Sequence, residues 1–425
     1  MTDPVRAQYE AYPYPSRDPR DEAKRLLVGS PGQLDELNHC LFAGRRDFTK
    51  PFRVLVAGGG TGDAAIMLAQ QLADCGTPGE VVWLDLSEKA RGIAEARADV
   101  RKLDNIRFVT GDLLSLPELA PGPYDYVDCC GVLHHLAEPE AGLAVLAEAL
   151  APEGGMGLML YGQYGRTGLY PLQEVLQQLA GDEPLPDQVA VTRRLLDGLP
   201  RTNWFRRNPF LGDHKRSDAE LVDLLLHARD RAYSVPELFA LLDGAGLAVT
   251  RFLEPLRYEP GTYLKDPKLT KRFEALSWRE RAAMAEVVAG NMKTHVVYVA
   301  HKASGGEGPK SERLARVEGE ATLPKLPFQE GPRLAAAARR SLSLTVEFEG
   351  LPLTLPLPRL APAILARIDG DTNLGDIYAS LREADAALTW DRFVSEFEAL
   401  AETLASANIM ALTTPPDHGV EGERS

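Results

Sequence analysis

The sequence predicts an α/β protein built on a doubly wound, mostly parallel sheet, with a smaller module after it. Three observations carry this. Short apolar runs alternate with amphipathic stretches, the rhythm of strands joined by helical crossovers. The first run, residues 54–57, ends in a turn with glycine at 58, 60 and 62. The next two runs end at Asp85 and Asp112, at the carboxyl edge where a sheet of this kind meets its ligand.

Taken in order, residues 54–57 are bounded by glycine and too short for a helix, so they read as a buried parallel strand. Asp63 is expected to cap a helix over 64–72 that stops before Gly76. Residues 81–84 form the second strand, and Ser87 starts a helix whose inward face would carry Ala90, Ile93, Val100 and Leu103. Residues 106–109 give a third strand and 124–130 a fourth, followed by Gly131-Val-Leu-His-His-Leu136. A helix over 141–150 stops at Pro152-Glu-Gly-Gly155, and 156–161 make the fifth strand. The rhythm then breaks. Residues 163–233 are polar and partly helical, but Trp204, Phe205, residues 221–226 and Tyr233 supply enough apolar surface for a folded lid. It resumes at a capping box, Ser234 with Glu237, and two more strands, 247–252 and 295–300, complete a seven-stranded, Rossmann-like sheet within residues 53–302.

Before this core, residues 1–52 carry Tyr9-Glu-Ala-Tyr12-Pro-Tyr14-Pro15, expected as an extended arm laid on another surface, a flap over a ligand. After it, residues 303–333 read as a linker opening on Ser304-Gly-Gly-Glu-Gly-Pro309. Residues 334–415 form a small α+β module, winged-helix-like in its pattern. It has an alternating strand over 342–348, an edge strand over 351–357 marked by Pro352 and Pro356, and helices over 361–368, 374–382 and 390–404.

At 425 residues the chain exceeds one ordinary domain. A net charge of −14 works against general affinity for nucleic acid. Cys40, Cys75, Cys129 and Cys130 form no Cys-x-x-Cys pair, so no zinc or disulfide framework is expected. With no signal-type N-terminus and no apolar run of bilayer length, a cytoplasmic protein without a membrane partner is expected.

The chemistry sits at the strand ends. Glycines there let a ligand press on bare backbone at a helix N-terminus. Asp85 stands where a carboxylate accepts both ribose hydroxyls, and Asp112 lies one strand further out, within reach of an adenine edge. With these motifs in this order and spacing, from 53 to 161, the chain resembles the class I S-adenosylmethionine-dependent methyltransferases. The resemblance implies S-adenosylmethionine as cofactor, held by Gly58, Gly59, Gly60, Thr61, Gly62, Asp85, Leu86, Asp112, Leu113, Cys130, Gly131 and Val132, with no metal. The stretches 161–170 and 226–233 resemble the lid of a bacterial subgroup. One departure stands out: two residues before the first glycine the family has an acid that contacts the cofactor's amine, and here that residue is Val56.

The reaction expected is methyl transfer to nitrogen or oxygen of a small molecule under the lid. His134, His135, His227 and Tyr233 are the candidate catalytic residues. Tyr12, Tyr164, Arg166, Asp230 and Arg231 are expected against the substrate. A peptide or protein acceptor gripped by the C-terminal module is the alternative, and a non-catalytic binding protein is a further one. The sequence leaves a homo-oligomer open.

Overall fold

The computed structural model describes residues 4–302 and 312–414. Its centre is a seven-stranded sheet: β1 (Phe52–Ala57), β2 (Gly79–Asp85), β3 (Ile106–Thr110), β4 (Tyr124–Cys130), β5 (Leu150–Tyr161), β6 (Leu247–Phe252) and β7 (Thr294–His301). Their order is β3-β2-β1-β4-β5-β7-β6, with β7 antiparallel to both neighbours and the other pairings parallel. The central strands are apolar on both faces because helices cover both. Leu55, Ala57, Val127 and Cys129 enter one core, Val54, Val56 and Tyr126 the other. The strand order reverses between β1 and β4, which opens a crevice at their carboxyl ends.

All seven strands expected from the sequence are present; the helices differ more. The arm is not simply extended: it forms α1 (Pro4–Ala11), a 3₁₀ turn at Pro19–Ala23 and α2 (Leu34–Leu41). After β1, α3 (Asp63–Asp74) is preceded by Gly62 at φ 103°, with no side-chain cap. Asp63 does not cap this helix; its carboxylate binds Arg17 and Arg97 instead. In α4 (Glu88–Arg101) Ser87 caps as expected, accepting from Ala90 N at 3.1 Å. The buried face of α4, however, is Ala90, Ala94, Arg97 and Ala98, while Val100 is exposed. Arg97 goes inside because Glu22, equally buried, is there to receive it.

The lid contains helices Leu169–Ala180, Leu185–Gly198, Trp204–Arg207 and Asp218–Leu225 around its own apolar core of Leu169, Leu172, Leu176, Phe205, Leu221 and Leu225. Helices at Pro267–Glu274 and Trp278–Ala289, between β6 and β7, were not read from the sequence.

The later module has two small sheets and four helices among the described residues. Part of the expected linker is structured: β8 (Leu323–Lys325) pairs with the last strand, β11 (Ala411–Thr413), and a helix begins at Gly331. Residues 303–311, with the glycine-rich opening, lie outside the described residues. The hairpin of β9 (Ser343–Phe348) and β10 (Leu351–Pro356) leaves β10 with one neighbour, which tolerates its two prolines. The module docks on the sheet domain: Arg251 donates to Ala405 O at 2.6 Å, Asn291 to Phe348 O at 3.0 Å and Asn408 to Glu36 at 2.8 Å.

Candidate active site

A cavity of about 580 Å³ opens at the reversal point and runs from the glycine turn to the lid. Gly58, Gly60 and Gly62 all have positive φ, at 75°, 49° and 103°. A Cβ on Gly58 would lie 2.1 Å from Val132 Cγ2, and one on Gly59 would lie 2.1 Å from Trp83 Cδ1. The turn therefore demands glycine for both backbone angle and close approach.

Asp85, at the end of β2, accepts from Gly60 N at 2.8 Å and Ser87 N at 2.9 Å. Burial pushes its pKa up, against those N–H bonds, which pull it down. Asp112 accepts from Leu114 N at 2.8 Å and lines the same cavity as Gly60 and Asp85. Of the twelve residues expected at the cofactor, ten line this cavity. The other two, Thr61 and Gly62, face the protein: Thr61 Oγ donates to Pro15 O at 2.7 Å, and Gly62 starts α3. The volume suits an adenosyl ligand with its amino-acid tail, and the two spaced carboxylates beside bare backbone suit its hydroxyls and base. On these observations the residues fit the cofactor.

At the lid end, the cavity wall holds Tyr9, His135, Tyr161, Arg166, Asp223 and Arg229. His135 Nδ1 lies 2.7 Å from Arg229 O. A carbonyl only accepts, so Nδ1 carries the proton and Nε2 keeps a lone pair. Burial lowers the pKa of His135 to about 4, so the ring is neutral at pH 7. His227 has the opposite tautomer: its Nδ1 accepts from Arg229 N at 3.0 Å, leaving the proton on Nε2, 3.1 Å from Tyr9 Oη. Tyr9 in turn donates to Asp223 at 3.4 Å, as does Tyr161. The two imidazoles stack with centroids 3.6 Å apart. Polar atoms of His135, Asp223 and His227 lie within 4.8 Å of one another. The Nε2 proton of His227 leaves no lone pair there for a cation; His227, Tyr9 and Asp223 form a hydrogen-bonded chain, with His135 stacked beside it.

Asp223 has no ion pair among the described residues. Burial raises its pKa to about 7, opposed by nearby Arg166 and reinforced by Asp230 and Glu220.

Several candidates from the sequence lie elsewhere. His134 is buried against Tyr161, centroids 3.7 Å apart, with neither ring nitrogen hydrogen-bonded. Tyr233 belongs to the main core. Asp230 stands behind the cavity, binding Arg166 at 3.2 Å and Gln173 at 3.0 Å. Arg231 faces outward and pairs with Glu237. Tyr12 packs on the lid core, and Tyr164 is outside the cavity lining. Tyr9 and Asp223, which line the cavity, were not among the candidates from the sequence. Tyr9 lay inside the flagged tyrosine cluster, but a single acid in an apolar helix carried no mark of its own.

Residues 55–156 match the family described as a methyltransferase domain. The protein syc1184_c of Synechococcus sp. is 29% identical over 300 residues, covering 68% of this chain and 69% of that protein. Demethylmenaquinone methyltransferase of Thermus thermophilus is 33% identical over 137 residues, 31% of this chain. The chain spans 59% of that enzyme's length. PKMT2 from Rickettsia typhi, solved in complex with AdoHcy, has the same fold: TM-score 0.63 over 90% of this chain and 75% of its own, at 14% identity.

Proposed function

We infer that this chain, a class I S-adenosylmethionine-dependent methyltransferase, methylates an amine nitrogen of a small molecule held between the sheet edge and the lid. When bound, the cofactor supplies an electrophilic methyl group on a sulfonium. The sheet edge holds it, and arm and lid exclude water and orient the acceptor, a contribution worth roughly 7–11 kcal/mol in well-aligned reactions.

The observation that carries the choice of nitrogen is Asp223. A buried carboxylate with two long O–H bonds and no ion pair, the nearby Arg166 being bonded to Asp230 instead, can take up a further cation. Methyl transfer to a neutral amine leaves a positive charge on the acceptor nitrogen, and a carboxylate flanked by Tyr9 and Tyr161 is suited to face that charge. The Nε2 lone pair of His135 would accept one N–H of the amine and turn the nitrogen's own lone pair toward the methyl. His227 would act as a positioning residue, holding Tyr9 through its Nε2–H. The residues expected to touch substrate are therefore Tyr9, His135, Tyr161, Arg166 and Asp223.

A second reading, an amine on a peptide side chain entering the same cavity, is favoured by the module's position. The hairpin turn at Gly350 approaches Phe210 of the lid, so a partner held by the module would lie at the lid's margin.

The test is an acceptor screen with the whole protein, reading formation of S-adenosylhomocysteine. Primary and secondary amines should turn over while matched alcohols and phenols do not. Turnover of hydroxyl acceptors in preference to amines would refute the nitrogen assignment.

A further inference from the structure

The cofactor half of the cavity holds a buried carboxylate, Asp128, besides Asp85 and Asp112. Asp128 sits in the middle of β4, buried among apolar neighbours. In the parallel register of β1 and β4 it lies directly opposite Val56, and residues paired in this way project from the same face of a sheet. Both line the cavity. Val56 is the position where an acid was expected and is absent. We propose that Asp128 replaces it, holding the ammonium group of the cofactor's methionine tail from the neighbouring strand. The proposal rests on the cofactor reading given above and deepens it.

The other acids in the lining are less suited. Asp63 is committed to two arginines, at 2.6 Å each. Asp85 accepts two backbone N–H groups and Asp112 one. Asp213 pairs with Arg216 at 3.3 Å, and Glu138 is exposed beyond the fourth strand. Asp223 belongs to the lid. Asp128 has only the Tyr126 hydroxyl, at 3.2 Å, and the Cys130 thiol, with no ion pair among the described residues. Burial raises its pKa to about 7, the behaviour of a carboxylate awaiting a cation. An acid moved one strand sideways at constant register reaches the same tail from about 5 Å away, a shift that side-chain length and tail flexibility can absorb.

The test compares two ligands by calorimetry. S-adenosylhomocysteine carries the amino-acid tail; 5′-methylthioadenosine has the same nucleoside and sulfur but no tail. Asp128→Asn keeps the volume and can still accept from Tyr126. It should weaken S-adenosylhomocysteine about 10–100-fold, the loss expected for one charge-assisted hydrogen bond. Binding of 5′-methylthioadenosine should stay within about two-fold of the unaltered protein, since the variant removes no contact that ligand makes. Equal loss for both ligands, or none for either, overturns the assignment. If the unaltered protein binds neither ligand, the cofactor reading itself fails, which is a separate result. Should the variant not fold, a structure of the unaltered protein with S-adenosylhomocysteine decides. An ammonium nitrogen within about 3.2 Å of a carboxylate oxygen of Asp128 supports the proposal, and one held by another group overturns it.

Discussion

His135 has its proton placed by a backbone carbonyl 94 residues further along the chain, and Asp223 depends in the same way on two distant tyrosines. This separates what was legible from what was not. Gly58, Gly60, Asp85 and Asp112 could be placed at the cavity because each stands at or just after a strand end. The places of Tyr9, Asp128 and Asp223 in the cavity could not be read, since each depends on how strands, arm and lid come together. His134 and His135 are adjacent and alike in sequence, yet only the second lines the cavity. Asp223 also carries a prediction. It must be ionised to face a cation, and its pKa is raised to about 7. In the free enzyme kcat/KM should therefore rise as pH passes upward through about 7 and fall away below it. Arg166, Asp230, Glu220, Tyr9, Tyr14, Tyr161, His135 and His227 are the charged and titratable groups around it. His135, neutral above about pH 4, adds no limb in that range. With the cofactor held saturating, so that Asp128, whose pKa is also raised to about 7, adds no limb, Asp223→Asn should lower kcat/KM by about 10–100-fold and abolish the limb while leaving S-adenosylhomocysteine binding unchanged. A limb that persists in the variant belongs to another group.

Among the elements, the N-terminal arm differs most from its sequence reading. Its prolines and tyrosines signalled contact with another surface but did not reveal a helix. In the structure α1 brings Tyr9 to the lid, while Glu10 accepts from Glu88 N at the start of α4 at 2.6 Å. The stretch that follows crosses the glycine turn through Pro15. Glu22 anchors its far end, bonded to Arg97 and Arg101, with Glu22 and Arg97 both buried. The same pair explains the misassigned face of α4. A periodic search for apolar residues passes over an arginine whose partner is 75 residues away. Removing one member of a buried pair costs up to about 3–5 kcal/mol where it leaves the other charge unmatched, and less here because Arg97 keeps Asp63 at 2.6 Å. Glu22→Gln should therefore lower the thermal unfolding midpoint and also loosen the arm, raising the S-adenosylhomocysteine dissociation constant. A variant that unfolds earlier but binds as before would show that the arm is not part of the site.

For the whole molecule, the question is whether the C-terminal module is an accessory that can be removed. Its own core is substantial, with Phe393, Phe397, Leu400 and Leu404 on one long helix face packed against Ile364, Leu365 and Ile377. The helix that carries it was expected from the sequence, over 390–404. The docking surface was not, because it is made of single polar residues scattered over α2, β6 and the segment after β6. There Leu412 N donates to His39 Nδ1 at 3.1 Å, Asn408 binds Glu36, and Arg257 pairs with Glu349. Glu36, His39 and Arg257 are all buried. Burial lowers the pKa of His39 to about 3 and raises that of Glu36. Removing residues 312–414 would take Leu412 from His39, Asn408 from Glu36 and Glu349 from Arg257, leaving Glu36 with Ser30 and Tyr298 and Arg257 with Glu254, and would uncover Leu256, which packs against Phe348. Each polar group left without its partner costs about 1–3 kcal/mol where it stays shielded from water. The shortened chain should therefore have a lower unfolding midpoint and lose activity whatever the acceptor. Loss of activity on truncation would then say nothing in favour of a protein substrate. The comparison that does is Phe210→Ala, at the contact between lid and hairpin. A small amine should be methylated at close to the unaltered rate, whereas a partner bridging module and lid should lose affinity. Measuring both truncation and point variant by calorimetry and turnover separates stability from recognition. An undiminished unfolding midpoint in the truncated chain would mean that the docking contacts contribute little.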